Sequence, residues 1–115
     1  MNIQKELSKG SSSLLVLSVL GTGDMYGYQI IKEIEQRSEF VFSFKEGTLY
    51  PILHGFEQEG LVKSYWQDGE RGKRRKYYHI TDRGLKRLNK SPEDWHSYST
   101  AVEKVIRSGF APSAV

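Results

Sequence analysis

The feature that most constrains the fold is a change in the spacing of apolar residues at Gly60. Before it, helical spacing predicts three helices, over residues 4–20, 26–36 and 46–59. After it, two β-prone segments, 61–66 and 77–80, flank a polar stretch, which predicts a hairpin. Gly60 itself is a typical left-handed helix stop.

Two further helices are predicted beyond the hairpin. Thr81 and Asp82 are suited to cap the first, and Ser91 followed by Pro92 is typical of a second helix start. We therefore expect a main domain over residues 1–90, a C-terminal helix over 91–109 and a flexible tail over 110–115. The alternating Phe40, Phe42 and Phe44 indicate either a brief strand or a packed loop.

Charge is concentrated on one part of the chain. The net charge is only +3, yet residues 63–90 hold ten Lys and Arg against three acids, a local charge of +7. The other residues carry −4. A concentrated basic segment favours binding to a polyanion, because Lys and Arg that contact phosphates release condensed counterions. The alternative is a charged loop that is merely solvated.

Several classes of protein are disfavoured. The sequence has no cysteine, and His54, His79 and His96 lack the spacing of metal ligands. No nucleophile or phosphate-loop motif is present, so we expect no enzyme activity, no cofactor and no metal. The longest apolar run, residues 14–20, is shorter than the roughly 20 residues of a bilayer span. We expect a cytoplasmic protein without a signal peptide or membrane contact.

Three helices followed by a hairpin is the element order of a winged helix-turn-helix, mainly α with a small β-hairpin. In that fold the third helix enters the DNA major groove and the hairpin, or wing, lies on the flanking backbone. The polar residues predicted to reach DNA are Lys45, Thr48, Tyr50 and His54 on the helix, and Lys73, Arg74 and Arg75 on the wing. For Thr48 and Tyr50 the alternative is ordinary packing at a helix start.

The first helix is apolar on two sides. Val16, Val19 and Leu20 share one side at about 100° per residue, whereas Leu7 and Leu14 share the other. A helix with two apolar faces needs two partners. The second face is a candidate subunit contact.

The sequence resembles the PadR-like transcriptional regulators over about residues 5–90. The matching motifs, in order, are Tyr26-Gly27-Tyr28-Gln29-Ile30, Glu46-Gly47-Thr48-Leu49-Tyr50-Pro51-Ile52-Leu53, Glu59-Gly60-Leu61-Val62, Ser64-Tyr65-Trp66, Gly72-Lys73-Arg74-Arg75-Lys76-Tyr77-Tyr78 and Ile80-Thr81-Asp82-Arg83-Gly84. The single further helix is similar to the compact branch of this family, which includes multidrug-sensing repressors.

The resemblance implies a homodimer on a palindromic operator, in which the C-terminal dimerisation helix packs against the first helix of the other subunit. It also implies a binding site for an aromatic effector at the interface, with Trp95 stacking the ligand. The residues that match the pocket of drug-sensing relatives, or stand one turn from its tryptophan, are Leu7, Leu14, Ser18, Trp95 and Ser99. In some relatives a polar or acidic residue one turn beyond the tryptophan assists cationic drugs, and at that position this chain has Ser99, which carries no charge. For Trp95 the alternative is dimer packing without a ligand.

The sequence thus predicts a dimeric, sequence-specific DNA-binding transcriptional regulator, a repressor relieved by an aromatic or amphipathic small molecule. The alternative is a winged-helix protein-interaction module without direct effector binding, in which the basic wing only aids solubility.

Overall fold

The computed structural model describes residues 3–109, with side chains from Ser11 onward. The predicted tail 110–115 and the side chain of Leu7 lie outside the described part. The elements in chain order are α1 (Ile3–Leu20), β1 (Met25–Tyr26), α2 (Gly27–Arg37), α3 (Glu46–Gln58), β2 (Val62–Asp68), a 3-10 turn (Glu70–Gly72), β3 (Arg74–Ile80) and α4 (Asp82–Ser108). No helix within these residues has the length and apolarity to cross a bilayer.

The three helices and the wing meet in one small core. Strands β2 and β3 form the predicted hairpin, from Val62 opposite Ile80 to Asp68 opposite Arg74. The core is made by one face of α1, α2 and α3 and by the base of the hairpin. Its most deeply buried side chains are Val16, Leu20, Ile30, Leu49, Leu53 and Leu61. The predicted fold, a mainly helical winged helix-turn-helix, is confirmed.

Strand β1 is an element that the sequence did not predict. Met25 and Tyr26 pair antiparallel with Tyr78 and Tyr77, so the sheet has three strands in the order β1-β3-β2. Asp24 does not cap α2, although aspartate just before a helix is often its cap residue. Tyr26 is the residue that precedes the helix, and its backbone N–H donates to Oε1 of Gln29 at 3.1 Å.

Helix α4 is continuous, and the predicted helix start at Ser91 is wrong. The hydroxyl of Ser91 donates to the carbonyl of Arg87 at 2.9 Å, so it bonds to the preceding turn instead of capping a new helix. Pro92 lies inside α4. The proposed division between residues 90 and 91 therefore falls within one helix. The predicted cap at Thr81 is confirmed, because its side chain accepts from Gly84 N at 3.1 Å.

The segment between α2 and α3 is a loop, so the strand alternative for it is wrong. Phe44 is buried and Phe42 is half-buried, whereas Phe40 is 72% exposed and has a left-handed φ of 66°. Tyr28 of α2 is 57% exposed, so it lies outside the core.

Side-chain contacts hold the wing against the helices on both sides. Asp24, in the turn after α1, accepts a hydrogen bond from Tyr65 Oη at 2.7 Å and pairs with His79 Nδ1 at 2.8 Å. Desolvation disfavours the ionised carboxylate, but the hydrogen bonds from Tyr65 and His79 and the charge of His79 outweigh it and lower the pKa of Asp24. On the other side, Glu57 of α3 accepts from Ser64 Oγ at 2.9 Å.

Gly84, at the start of α4, lies where that helix packs closely on the base of the wing, so a substitution there tests this packing. A Cβ at this position would meet the carbonyl oxygen of Leu61 and lie 2.7 Å from Cγ1 of Ile80. We expect Gly84→Ala to lower the free energy of unfolding by about 1–3 kcal/mol, because backbone cannot move aside cheaply. Gly55→Ala, in open space within α3, should raise it by about 0.5–1 kcal/mol. Equal changes in the free energy of unfolding for the two variants, measured by chemical denaturation, would contradict the close packing of Gly84 on Leu61 and Ile80.

Asp24 gives a pH-dependent prediction. Because its pKa is lower in the folded protein, its contribution to stability is full above the ordinary carboxyl pKa and is lost as the pH falls through the lowered value. Asp24→Asn should therefore destabilise the protein between about pH 5 and 7 and make no difference in stronger acid. Urea denaturation across pH tests this, with Asp68→Asn, at an exposed carboxylate 3.7 Å from Arg74, as the control. A difference in stability between Asp24→Asn and the wild-type protein that persists in strong acid would contradict this prediction.

Candidate nucleic-acid interface and ligand groove

The predicted recognition helix α3 buries one side and exposes the other. Leu49, Leu53 and Phe56 form its buried side. Thr48 and His54 are exposed, and Lys45 is the exposed residue that precedes the first turn. These three predicted DNA-binding side chains are therefore accessible to a ligand that approaches α3 from solvent.

Tyr50 combines exposure with a packing role. It is 42% exposed, and its hydroxyl oxygen lies only 2.5 Å from the position that a Cβ on Gly27 would occupy. The phenol therefore lies against the start of α2, and this close approach explains a glycine there. Tyr50 thus packs against a helix, as the alternative to DNA contact proposed, and also keeps part of its ring exposed.

The three predicted wing residues differ in their surroundings. Lys73 is exposed beside the turn, where Arg71 and Gly72 both have left-handed φ values. The Arg74 side chain is 66% exposed and lies 5.5 Å from the centre of the Trp66 ring. Arg75 is half-buried and donates from Nη1 to Tyr26 Oη at 3.0 Å. Lys73 and Arg74 are thus exposed to solvent, whereas Arg75 is half-buried against Tyr26.

A groove of about 850 Å³ lies between α1 and α4. Four of the five predicted ligand-binding residues line it, Leu14 and Ser18 from α1 and Trp95 and Ser99 from α4. The hydroxyls of Ser18 and Ser99 donate to carbonyls of their own helices, at 2.7 and 3.2 Å. The groove therefore presents a mostly apolar surface.

Among the lining residues outside the predicted set, three bear on the chemistry of the groove. Phe42 comes from the loop before α3, and Tyr98 lies beside Trp95 with their ring centres 5.9 Å apart. Glu103 is the one charged side chain among the described lining residues. Glu103 stands eight residues after Trp95, about 80° away at 100° per residue, so helical spacing alone gives no signal that it lines the groove.

The far end of α4 leaves apolar side chains uncovered within the described chain. Val105 is 73% exposed and Ile106 is 50% exposed, and Ile106 also lines the groove. Trp95 and Tyr98 are exposed along the same helix. This apolar row is continuous with the groove.

Comparison with known proteins identifies the family. The profile of the transcriptional regulator PadR-like family matches residues 16–90. A transcriptional regulator from Clostridium thermocellum has a similar structure, with a TM-score of 0.76, 36% identity and coverage of 86% of this chain and 96% of that one. A PadR family regulator from Eggerthella lenta gives a TM-score of 0.75 and 36% identity, and the match covers 88% of this chain and 86% of that one.

A longer relative carries the same region. The transcriptional regulator YqjI of Escherichia coli is 28% identical over 90 residues, which are 78% of this chain and 42% of that protein. The family match spans the end of α1, helices α2 and α3, the wing and the start of α4. The chain therefore belongs to the PadR-like family of transcriptional regulators, which bind DNA and are not enzymes.

Proposed function

We propose that the chain is a homodimeric repressor that binds a two-fold symmetric operator and is released by an aromatic or amphipathic small molecule in the α1–α4 groove. The observation that carries the DNA-binding part is the exposed, basic wing beside the exposed side of α3. Lys73 and Arg74 extend from the wing, and Thr48 and His54 lie on the helix. In a winged helix-turn-helix these two surfaces contact the same stretch of duplex.

Charge supports this assignment. The basic segment over residues 63–90 includes the wing, and the remainder of the chain is net negative. A negative body disfavours phosphate contacts elsewhere and leaves the wing side as the favoured surface for DNA. The proposed contacts at Lys73 and Arg74 are to phosphates, and those at Thr48 and His54 are to base edges and the backbone.

The exposed apolar row on α4 supports the dimer. Val105 and Ile106 expose large apolar surfaces, and such surfaces on a soluble protein are typical of a subunit interface. A two-fold axis near α4 would bring the outer face of α1 in one protomer against α4 of the other. Two recognition helices would then face half-sites about 10 bp apart or a multiple of this spacing.

The chemistry of the groove supports the effector. Trp95 and Tyr98 offer aromatic faces, Leu14 and Phe42 add apolar contacts, and Glu103 supplies one acceptor. This lining fits an aromatic compound with a donor or positively charged group. To release DNA, the compound must bind more tightly to a dimer geometry that does not fit the operator than to one that does.

The wing contacts predict a change in salt dependence. A duplex selected from a random pool should bind with an affinity that falls steeply with salt, and Lys73→Ala with Arg74→Ala should flatten the log–log slope by about 0.9 per lost phosphate contact. Lys104→Ala with Arg107→Ala removes the same charge from α4 and should leave the slope unchanged. Fluorescence anisotropy provides the measurement.

Two results would contradict the regulator mechanism and favour a protein-interaction module. One is an absence of DNA binding at low salt. The other is a slope that the wing substitutions do not alter.

The groove predicts quenching of Trp95 by a planar aromatic probe. In a Trp66→Phe background, which leaves Trp95 as the one tryptophan, proflavine should quench the fluorescence saturably. Tyr98→Ala should weaken this binding because it removes an aromatic face of the groove, whereas His96→Ala, outside the lining, should not. Quenching that is linear and unaffected by Tyr98→Ala would refute the pocket.

A further inference from the structure

The two arginines of strand β3 lie on opposite faces of the sheet. Successive residues of a strand point to opposite sides, so Arg74 shares a face with Trp66 and Asp68, whereas Arg75 lies on the face of Tyr77. Arg74 is largely exposed beside an exposed carboxylate. Contacts of this kind are weak and are readily exchanged for a phosphate.

Arg75 is held by Tyr26 and lies close to the turn of the wing. Its guanidinium lies 4.4 Å from the centre of the Tyr26 ring and donates to the hydroxyl of that tyrosine at 3.0 Å. Near the turn, Nε and Cδ of Arg75 lie 3.3 and 3.4 Å from the position that a Cβ on Gly69 would occupy. One side chain thus contacts strand β1 and lies near the turn of the wing.

Tyr26 connects this contact to the helices. It is the residue immediately before α2, and its ring meets Tyr77 edge-on, with centres 5.5 Å apart. Tyr77 stacks on Tyr65 at 5.7 Å, and Tyr65 donates to Asp24 in the turn after α1. The face of the sheet that carries Arg75 is therefore joined by aromatic and polar contacts to the segment between α1 and α2.

We propose that Arg75 is a positioning residue, which sets the angle of the wing relative to α3 through Tyr26 and does not itself contact a phosphate. This inference rests on the proposed function of the wing in DNA binding. A phosphate contact would require Arg75 to leave a hydrogen bond of 3.0 Å and a ring 4.4 Å away. Arg74 would give up only an exposed ion pair of 3.7 Å and a ring 5.5 Å away. The planar guanidinium suits this role, because it stacks and donates at the same time and an ammonium does not.

The test compares Arg75→Ala, Arg75→Lys and Tyr26→Phe in binding to the selected duplex across salt. Each variant should weaken specific binding, by about threefold to tenfold, because each loses a contact that orients the wing. The salt slope should remain that of the wild-type protein, and the double variant Tyr26→Phe with Arg75→Ala should bind no more weakly than Arg75→Ala alone. Arg74→Ala is the matched control and should flatten the slope.

Arg75→Lys separates the two roles most directly. A phosphate contact would survive in lysine, which keeps the charge, whereas the positioning contact would not. Wild-type affinity in Arg75→Lys, or a slope flattened by Arg75→Ala as much as by Arg74→Ala, would overturn the proposal. Thermal unfolding of each variant identifies any that fail to fold.

A measurement without DNA distinguishes this proposal from the function on which it rests. In the free protein, Tyr26→Phe and Arg75→Ala should speed amide hydrogen exchange in wing residues 66–76, whereas Arg74→Ala should not. Unchanged exchange in both variants would overturn the positioning role even if the protein binds DNA. Increased exchange in a protein that binds no DNA would instead refute the proposed function.

Discussion

The central strand β3 is the constraint on which the proposed DNA-binding surface depends. It pairs with β2 along the whole wing and with β1 at Tyr26, so one strand joins the wing to the residue that begins α2. Contacts from Asp24 and Glu57 add links to the α1–α2 turn and to α3. The wing therefore has a defined orientation relative to the exposed side of α3. A binding site that uses both surfaces requires such an orientation, because DNA presents its groove and its backbone at fixed spacing.

Helix α4 carries the second half of the proposed mechanism. Its first turn is packed closely on the wing base through Gly84, while its far end leaves Val105 and Ile106 exposed. The groove lies between these two regions and against α1. A ligand there would lie beside the helix that we propose joins the protomers, so it could alter the separation of the two reading surfaces without touching either. Only a difference in affinity between the two geometries can produce that effect.

Features set by neighbouring residues were predictable from the sequence, whereas contacts between residues far apart in the chain were not. Helix stops and caps such as Gly60 and Thr81 depend on a few neighbouring residues, and both were predictable. The dipeptide Ser91-Pro92 wrongly indicated a helix start. A serine inside a helix bonds to the preceding turn with the same hydroxyl that would cap a new helix. Strand β1 has only two residues, too few for a pattern. The contacts of Arg75 with Tyr26 and of His79 with Asp24 join residues 49 and 55 positions apart and have no local signature.

The most direct test of the account is a map of amide hydrogen exchange on the full chain with and without a duplex selected from a random pool. The account predicts protection of two segments in each protomer, residues 45–54 on α3 and the wing turn around Lys73, and no protection of the groove residues around Trp95. Protection confined to α1 and α4, with the wing and α3 unchanged, would contradict the claim that these two surfaces bind DNA.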